Sequence, residues 1–216
     1  MVDLRAVASP PESGNVSHPG PPAKDLIRIV GEMKSHLNAP ILDAGCGYGR
    51  NAIALAARGL SVVCVDQNLE RLNALVRLAP RCIADLLEPE REAGQLYPVL
   101  AHLGPSHWPF LENCFAGIVC VHFLNVVLFE AFRSSLVEGG YLYSETFGGH
   151  GGNCVDLPKA GQLHHLLWRD FHIPFYRERK VGPAGYDAVT VKLFAVKRSA
   201  IGPASVPPHL WTTGAV

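Results

Sequence analysis

The sequence predicts an α/β fold, a doubly wound, seven-stranded and mostly parallel sheet with helices on both faces. Strand-like and helix-like segments alternate five times along the chain, which is the pattern of a parallel sheet. The strand-like segments are apolar runs, as expected for strands that are covered on both faces. With 216 residues, 48% of them apolar, the chain is long enough for one sizeable domain and short for two.

In the first half of the chain, apolar residues at helical spacing predict a helix at 23–37. An apolar run that closes on a glycine-rich turn predicts the first strand at 40–43. An alanine-rich helix at 50–58 ends at Gly59, and a valine-rich second strand follows at 61–65. A further amphipathic segment predicts a helix at 69–78, before a short third strand at 81–84.

In the second half, an unbroken apolar run predicts the fourth strand at 115–121, followed by a helix at 128–136. A fifth strand at 140–145 and a helix at 159–168 come next. Two runs at 171–180 and 188–197 flank a Gly-Pro-Ala-Gly turn and predict a terminal antiparallel hairpin. The predicted domain therefore covers 23–198, between a flexible arm at 1–22 and a flexible tail at 199–216.

Charge and composition exclude several classes of partner. The chain has 19 Lys+Arg and 19 Asp+Glu, so it has no general attraction for nucleic acid or for an anionic membrane, and neither partner is expected. No apolar segment has the length of a membrane span. The six cysteines form no C-x-x-C pair and lie mostly in apolar runs, which predicts reduced thiols, no metal site and a cytoplasmic protein.

A glycine-rich loop follows the first strand, with Asp43 at the strand end and glycines at 45, 47 and 49. Alternating glycines let the backbone turn sharply and approach a ligand closely. The dinucleotide pattern G-x-G-x-x-G fails, because the third position after Gly47 is Arg50. A carboxylate at Asp43 would repel a pyrophosphate and suits an ammonium group, which disfavours a nicotinamide oxidoreductase. The alternative is a structural turn with a capping Asp.

Two more acidic residues end predicted strands. Asp66 ends the second strand and can accept hydrogen bonds from both hydroxyls of a ribose, or it can cap the next helix. Asp85 ends the predicted third strand and can accept from a purine amine while Leu86 packs on the ring, or it is an exposed loop acid. Gln67 is expected beside the ribose acid.

This constellation resembles the class I S-adenosylmethionine-dependent methyltransferases, over about 37–197. The resemblance implies a Rossmann-like sheet with strand order 3-2-1-4-5-7-6 and S-adenosylmethionine as cofactor. In that family the glycine loop and the first acid, here Asp43, hold the amino-acid part of the cofactor, the second acid, Asp66, holds the ribose, and the third, Asp85, holds the adenine. The cofactor-binding residues that the resemblance implies are Asp43, Gly45, Cys46, Gly47, Gly49, Asp66, Gln67, Asp85, Leu86 and His122.

A narrower resemblance is to the small single-domain methyltransferases related to bacterial tellurite-resistance proteins. It is carried by the runs ILDAGCGYGRNAIALAARG, VHFLN and GGYLYSETF. The chain departs from that family at Ala116, where an Asp is frequent, and by an additional segment at about 87–105. That segment is either an added helix over the adenine or a surface excursion.

The acceptor side is expected after the fourth and fifth strands. His122 is a candidate general base or a polar wall of the pocket, with a structural role as the alternative. Glu145 ends the fifth strand and is a second catalytic candidate. Asn125 and His150 are candidate substrate contacts, and the glycine-rich run 148–152 is a candidate mobile lid.

The predicted reaction is an in-line displacement that moves a methyl group from the sulfonium to a small-molecule acceptor. Such a reaction needs alignment and exclusion of water, and it needs a base only if the acceptor is protonated. Two alternatives remain open at this stage. One is a methyltransferase acting on protein or RNA, and the other is a non-catalytic S-adenosylmethionine-binding partner protein.

Overall fold

A seven-stranded sheet organises the computed structural model, which describes residues 18–32, 38–123, 126–146, 157–182 and 187–199. The strands are β1 Ile41–Ala44, β2 Val62–Asp66, β3 Leu96–Leu100, β4 Phe115–Val121, β5 Leu136–Glu145, β6 Phe171–Val181 and β7 Ala188–Lys197. The helices are α1 Lys24–Glu32, α2 Arg50–Ala56, α3 Leu69–Leu86, α4 Phe129–Ser135 and α5 Gln162–Leu167, with a 3-10 turn at Val126–Leu128.

The strand order is β3-β2-β1-β4-β5-β7-β6, which confirms the predicted topology. Strands β1 to β5 are parallel, and β7 pairs antiparallel with both β5 and β6. Strands β1 and β4 are neighbours at the point where the order reverses. Ligands bind such sheets at the carboxyl ends of the strands near that point, so the topology directs attention to the loops after β1 and β4.

Each face of the sheet is covered by a different set of helices. Leu26 of α1, Leu55 of α2 and Leu75 of α3 pack in one buried cluster with side chains of the sheet. Phe132 of α4 and Leu163 of α5 pack in the cluster on the other face. This two-sided burial explains the continuous apolar character of β4, all of whose residues are buried.

The predicted position of the third strand is wrong. Residues 81–84 continue α3, where Ala79 and Cys82 keep the helical spacing and pack with Ile53 of α2. The helix runs through Pro80, which is inside α3 and not at its end. The true β3 lies within 87–105, so that segment is neither an added helix nor only a surface excursion. As the edge strand, β3 is largely exposed and contains a proline, so its apolar signal is weak.

Other boundaries shift by a few residues. The helix predicted at 159–168 is Gln162–Leu167, and the fifth strand begins at Leu136, before the predicted 140. The helix predicted at 23–37 is described as Lys24–Glu32, and 33–37 lie outside the described residues. Most of the predicted arm, nearly all of the predicted tail and residues 183–186, which include most of the predicted Gly-Pro-Ala-Gly turn, also lie outside them. No helix within the described ranges is long and apolar enough to cross a membrane.

Candidate active site

The glycine loop after β1 combines left-handed backbone with a close contact. Gly45, Gly47 and Gly49 have φ values of 69°, 57° and 81°. A Cβ at Gly45 would lie 2.5 Å from the Phe123 ring, whereas one at Gly47 would meet nothing within 4 Å. At position 45, glycine is favoured both by the positive φ and by the lack of room for a side chain next to Phe123. At position 47 only the positive φ favours glycine, because the space beside it is open.

Asp43 lies beneath this loop. Its side chain is buried, and Oδ2 accepts a hydrogen bond from the Ala52 amide at 3.1 Å. Burial raises the pKa of the Asp43 carboxyl to about 7, although the Ala52 N–H and the Arg50 charge oppose this rise. The carboxyl fixes the first turns of α2 to the end of β1. Cys46 is also buried, and burial raises the pKa of its thiol above the ordinary value.

Asp66 connects the end of β2 to the glycine loop. Its Oδ2 accepts from the Gly47 amide at 2.9 Å, and Oδ1 accepts from the Asn68 amide at 2.8 Å. The Arg71 guanidinium lies 3.9 Å from Oδ2. The Asn68 side chain caps α3 by accepting from the Arg71 amide. Asn68, and not Asp66, therefore caps α3, and the Asp66 carboxylate contacts the glycine loop.

One cleft at this edge of the sheet brings several predicted residues together. It is lined by Gly45, Val65, Asp66, Gln67, Arg71, Ala101, His102, Leu103, His122 and Phe123. Four of these, Gly45, Asp66, Gln67 and His122, are predicted site residues. The other predicted cofactor residues are not part of this lining: Asp43, Cys46, Gly47, Gly49, Asp85 and Leu86.

The premise for Asp85 and Leu86 is wrong, because both lie in the last turn of α3 and are exposed. The residue that follows the true β3 in the cleft is His102, just after Ala101. Its Nδ1 lies 2.8 Å from Gln67 Oε1. Sequence reasoning missed His102 as a site residue, although the rule that site residues follow strands would have found it once β3 was placed correctly.

His122 follows β4 in a left-handed backbone conformation, with φ 59°. Its amide donates to the Glu145 carbonyl at 2.8 Å, and its Nδ1 lies 3.2 Å from Arg50 Nη2. The pKa of the imidazole is lowered by partial removal from water and by the positive charges of Arg50 and Lys192, with Glu145 opposing them. His122 is therefore held next to a guanidinium at the edge between β4 and β5.

Glu145 is buried at the end of β5, and two neighbouring side chains contact one of its carboxylate oxygens. The Tyr143 hydroxyl donates to Oε1, and Lys192 Nζ lies 3.0 Å from the same oxygen. Lys192 also lies 3.2 Å from Asp25 Oδ2 on α1, so it bridges the helix to the sheet edge. Burial and the Glu145 carboxylate raise the pKa of the Tyr143 phenol. Sequence reasoning missed Lys192, because nothing local marks it as a partner of Glu145.

The start of α1 is fastened to the start of α2. The Ala23 amide donates to Asn51 Oδ1 at 3.0 Å, and Arg50 Nη1 donates to the Pro21 carbonyl at 3.4 Å. Arg50 thus contacts both the segment before α1 and His122. Asn125, His150 and the predicted lid at 148–152 lie outside the described residues.

Comparisons with known proteins agree with this architecture. Residues 42–143 match the methyltransferase domain family. An S-adenosylmethionine-dependent methyltransferase of Methanosarcina mazei superposes with a TM-score of 0.51 at 20% identity, covering 76% of this chain and 95% of that one. Residues 42–143 therefore form a methyltransferase domain, and this match together with the shared fold supports an S-adenosylmethionine-dependent enzyme.

Two further structures share the methyltransferase fold at low sequence identity. Geranyl diphosphate C-methyltransferase from Streptomyces coelicolor, solved with geranyl diphosphate and S-adenosylhomocysteine, gives a TM-score of 0.56 at 14% identity and covers 81% of this chain and 75% of its own. The N-methyltransferase NodS from Bradyrhizobium japonicum gives 0.56 at 12% identity, with 81% and 94% covered. No curated protein sequence matches this chain.

Proposed function

We propose that this methyltransferase transfers the methyl group to a small-molecule acceptor by in-line displacement. The observation that carries the proposal is one cleft in which Asp66 and the glycine loop meet His122, so that a cofactor held by the loop would present its reactive end towards β4. The named substrate of one structural neighbour, geranyl diphosphate, supports a small acceptor. The narrower likeness to tellurite-resistance-type enzymes stays part of this proposal.

The cofactor end of the cleft fits a nucleoside. Asp66 has two carboxylate oxygens that now hold the Gly47 and Asn68 amides and can also accept ribose hydroxyls. Gly47 borders open space where backbone can approach the ligand, Cys46 and Gly49 belong to the same loop, and the buried Asp43 lies beneath it. We assign the amino-acid part of the cofactor to this loop.

The base of the nucleoside is assigned to His102 and Gln67. Both side chains line the cleft that contains Asp66, and they hydrogen-bond to each other. An imidazole and an amide each offer a donor and an acceptor, which is what the edge of a purine requires. This assignment replaces Asp85 and Leu86, which lie on the last turn of α3.

The acceptor side is assigned to His122 and Glu145, with Asn125 and His150 as further contacts. The bound cofactor supplies a methyl group already activated by the sulfonium. The protein then has to orient the acceptor in line with the sulfur–carbon bond and to exclude water. Neither side chain has to move a proton if the acceptor arrives unprotonated.

Calorimetry followed by a transfer assay tests the proposal. S-Adenosylhomocysteine should bind and raise the melting temperature, whereas NADH should not. Protein incubated with S-adenosylmethionine labelled in its methyl group and with a cell extract should then move label into the small-molecule fraction. Asp66→Ala is the control with weakened cofactor binding, and at limiting S-adenosylmethionine it should transfer less label than the wild type. Label that appears mainly in protein or RNA would contradict the small acceptor, and tighter binding of NADH would contradict the cofactor site.

A further inference from the structure

The contact between Arg50 and His122 determines which imidazole nitrogen carries the proton. Arg50 Nη2 lies 3.2 Å from His122 Nδ1. A guanidinium has only donors and remains protonated in proteins, so Nδ1 must be the acceptor of this hydrogen bond. A neutral imidazole that accepts at Nδ1 carries its proton on Nε2.

The surrounding charges favour the same state. Arg50 on α2 and Lys192 on β7 bring positive charge towards the ring, and Glu145 on β5 brings negative charge. The Glu145 carboxylate is already engaged by Lys192 and by the Tyr143 hydroxyl. Partial burial first, and then the positive charges, lower the pKa of His122, so the ring is neutral at physiological pH and Arg50 has a lone pair to contact.

The ring and its partner are both anchored. The His122 amide is tied to the Glu145 carbonyl, and its positive φ makes an abrupt exit from β4. Arg50 is held from the other side, because its Nη1 donates to the Pro21 carbonyl. Anchors at both ends favour a single orientation of the imidazole.

We propose that Arg50 is a positioning residue that holds His122 in the neutral Nε2–H tautomer, so that His122 serves methyl transfer as a hydrogen-bond donor and not as a general base. The inference rests on the proposed function of this cleft. In the step it implies, the lone pair of the nucleophile forms the bond to the methyl carbon, and the sulfur–carbon bond breaks with its electrons going to sulfur. His122 takes up no proton. The acceptor is therefore a nucleophile that is unprotonated at neutral pH, such as a thiolate or a carboxylate.

Nitrogen-15 NMR of the imidazole tests the tautomer without any acceptor. The His122 signal, assigned by its loss in His122→Gln, should show the proton on Nε2. In Arg50→Met the imidazole should titrate at a higher pH than in the wild type, while Arg50→Lys, which keeps the charge, should shift it less. A proton on Nδ1, or an unchanged titration in a folded Arg50→Met protein, would overturn the proposal.

Rates separate a donor from a base. Gln keeps an N–H donor near the place of Nε2 but has no basic nitrogen, so His122→Gln should recover most of the rate that His122→Ala loses. A general base would instead make both variants slow by about 10²–10⁴-fold in kcat. Equal loss in the two variants overturns the donor role. Failure of S-adenosylhomocysteine to bind overturns the proposed function and leaves the tautomer result standing.

Discussion

Carboxylates on the two sides of the cleft, the proposed cofactor side and the proposed acceptor side, make different kinds of polar contact. On the cofactor side, carboxylates accept from backbone amides, as Asp43 does from Ala52 and Asp66 does from Gly47. On the acceptor side, charged side chains meet other side chains, as Arg50 meets His122 and Lys192 meets Glu145. The fold holds a backbone donor in place whatever the side chain is, whereas a contact between two side chains is lost when either residue is substituted.

This difference predicts how each half responds to change. A backbone amide remains in place when a side chain is substituted, so the cofactor loop should fail mainly through its own geometry. A side-chain pair leaves an uncompensated charge when one member is removed. The variants below test this contrast, beginning with the largest expected effect.

The largest effect is expected from alanine at Gly45, with Gly47→Ala as its matched control. Both positions have positive φ, which costs an L-residue roughly 1–2 kcal/mol. Only Gly45 would also place a Cβ 2.5 Å from the Phe123 ring, and overpacking typically adds about 1–3 kcal/mol. Urea unfolding should show Gly45→Ala clearly less stable than Gly47→Ala. Equal stability of the two variants would mean that Phe123 can move aside without cost.

Gly47→Ala should instead act on the ligand. Its Cβ would enter open space next to the Asp66 contact, where backbone approach to a cofactor is proposed. Binding of S-adenosylhomocysteine should therefore weaken more than the free energy of unfolding changes. Unaltered binding would place the cofactor away from this glycine.

The same contrast explains what the sequence could predict. The glycine loop and Asp66 follow the adjacent strands β1 and β2 and are joined over 19 residues, so the pattern of glycines and acids predicts that they lie close together. The Arg50–His122 contact spans 72 residues and the Lys192–Asp25 contact 167, and their geometry depends on how distant elements pack. No local pattern marks such pairs.

The misplacement of β3 has a related physical cause. Short apolar runs fit a strand and a helix equally well, and residues 81–84 were bounded by Pro80. Residues 81–84 are helical because α3 packs against Ile53 of α2, and such a tertiary contact cannot be seen in the local sequence. The exposed edge strand that replaced it had too little apolar character to compete.

A pH-dependent stability is the second prediction. The pKa of Asp43 is about 7 in the folded protein and ordinarily 3.8, so between these values the folded state binds more protons than the unfolded chain. Stability contributed by the protonated carboxyl is full below the lower value and is lost as pH rises towards 7, by up to about 4 kcal/mol. Asp43→Asn cannot titrate and should flatten this slope. Urea unfolding midpoints of both proteins, measured across this pH range, test the prediction. If stability changes with pH as steeply in Asp43→Asn as in the wild type, another group causes the pH dependence.

Third, Asp66→Ala should weaken binding of S-adenosylhomocysteine by about 1–3 kcal/mol, the usual cost of losing a charged hydrogen-bond partner. Asp85→Ala is the matched control, because it removes the same carboxylate from an exposed position on α3. Its affinity should equal that of the wild type in calorimetry. A comparable loss in Asp85→Ala would restore that residue to the nucleoside site and contradict the assignment of His102.

The smallest expected effect concerns the acceptor side and is best measured by two double-mutant cycles. The Lys192–Glu145 pair joins a partly exposed ammonium to a buried carboxylate, with 9% of the Glu145 side chain accessible, whereas 70% of Glu130 is accessible in its pair with Arg133. Exposed pairs contribute about 0.2–1 kcal/mol, with helical pairs near 0.3–0.5, so the Arg133–Glu130 coupling should fall at that level. The coupling between Lys192→Met and Glu145→Gln should be larger, because water screens a buried carboxylate less.

The Lys192 single variant should also cost more stability than Glu145→Gln. Removing the ammonium leaves the Glu145 carboxylate buried beside Tyr143 without its cation, whereas Glu145→Gln leaves Lys192 with Asp25 and with water. Asp25→Asn serves as the control for the other half of the bridge. Equal couplings in the two cycles would show that the Lys192–Glu145 pair stabilises the fold no more than an exposed helical pair does. The structural contrast between the two sides of the cleft would then have no effect on the free energy of unfolding.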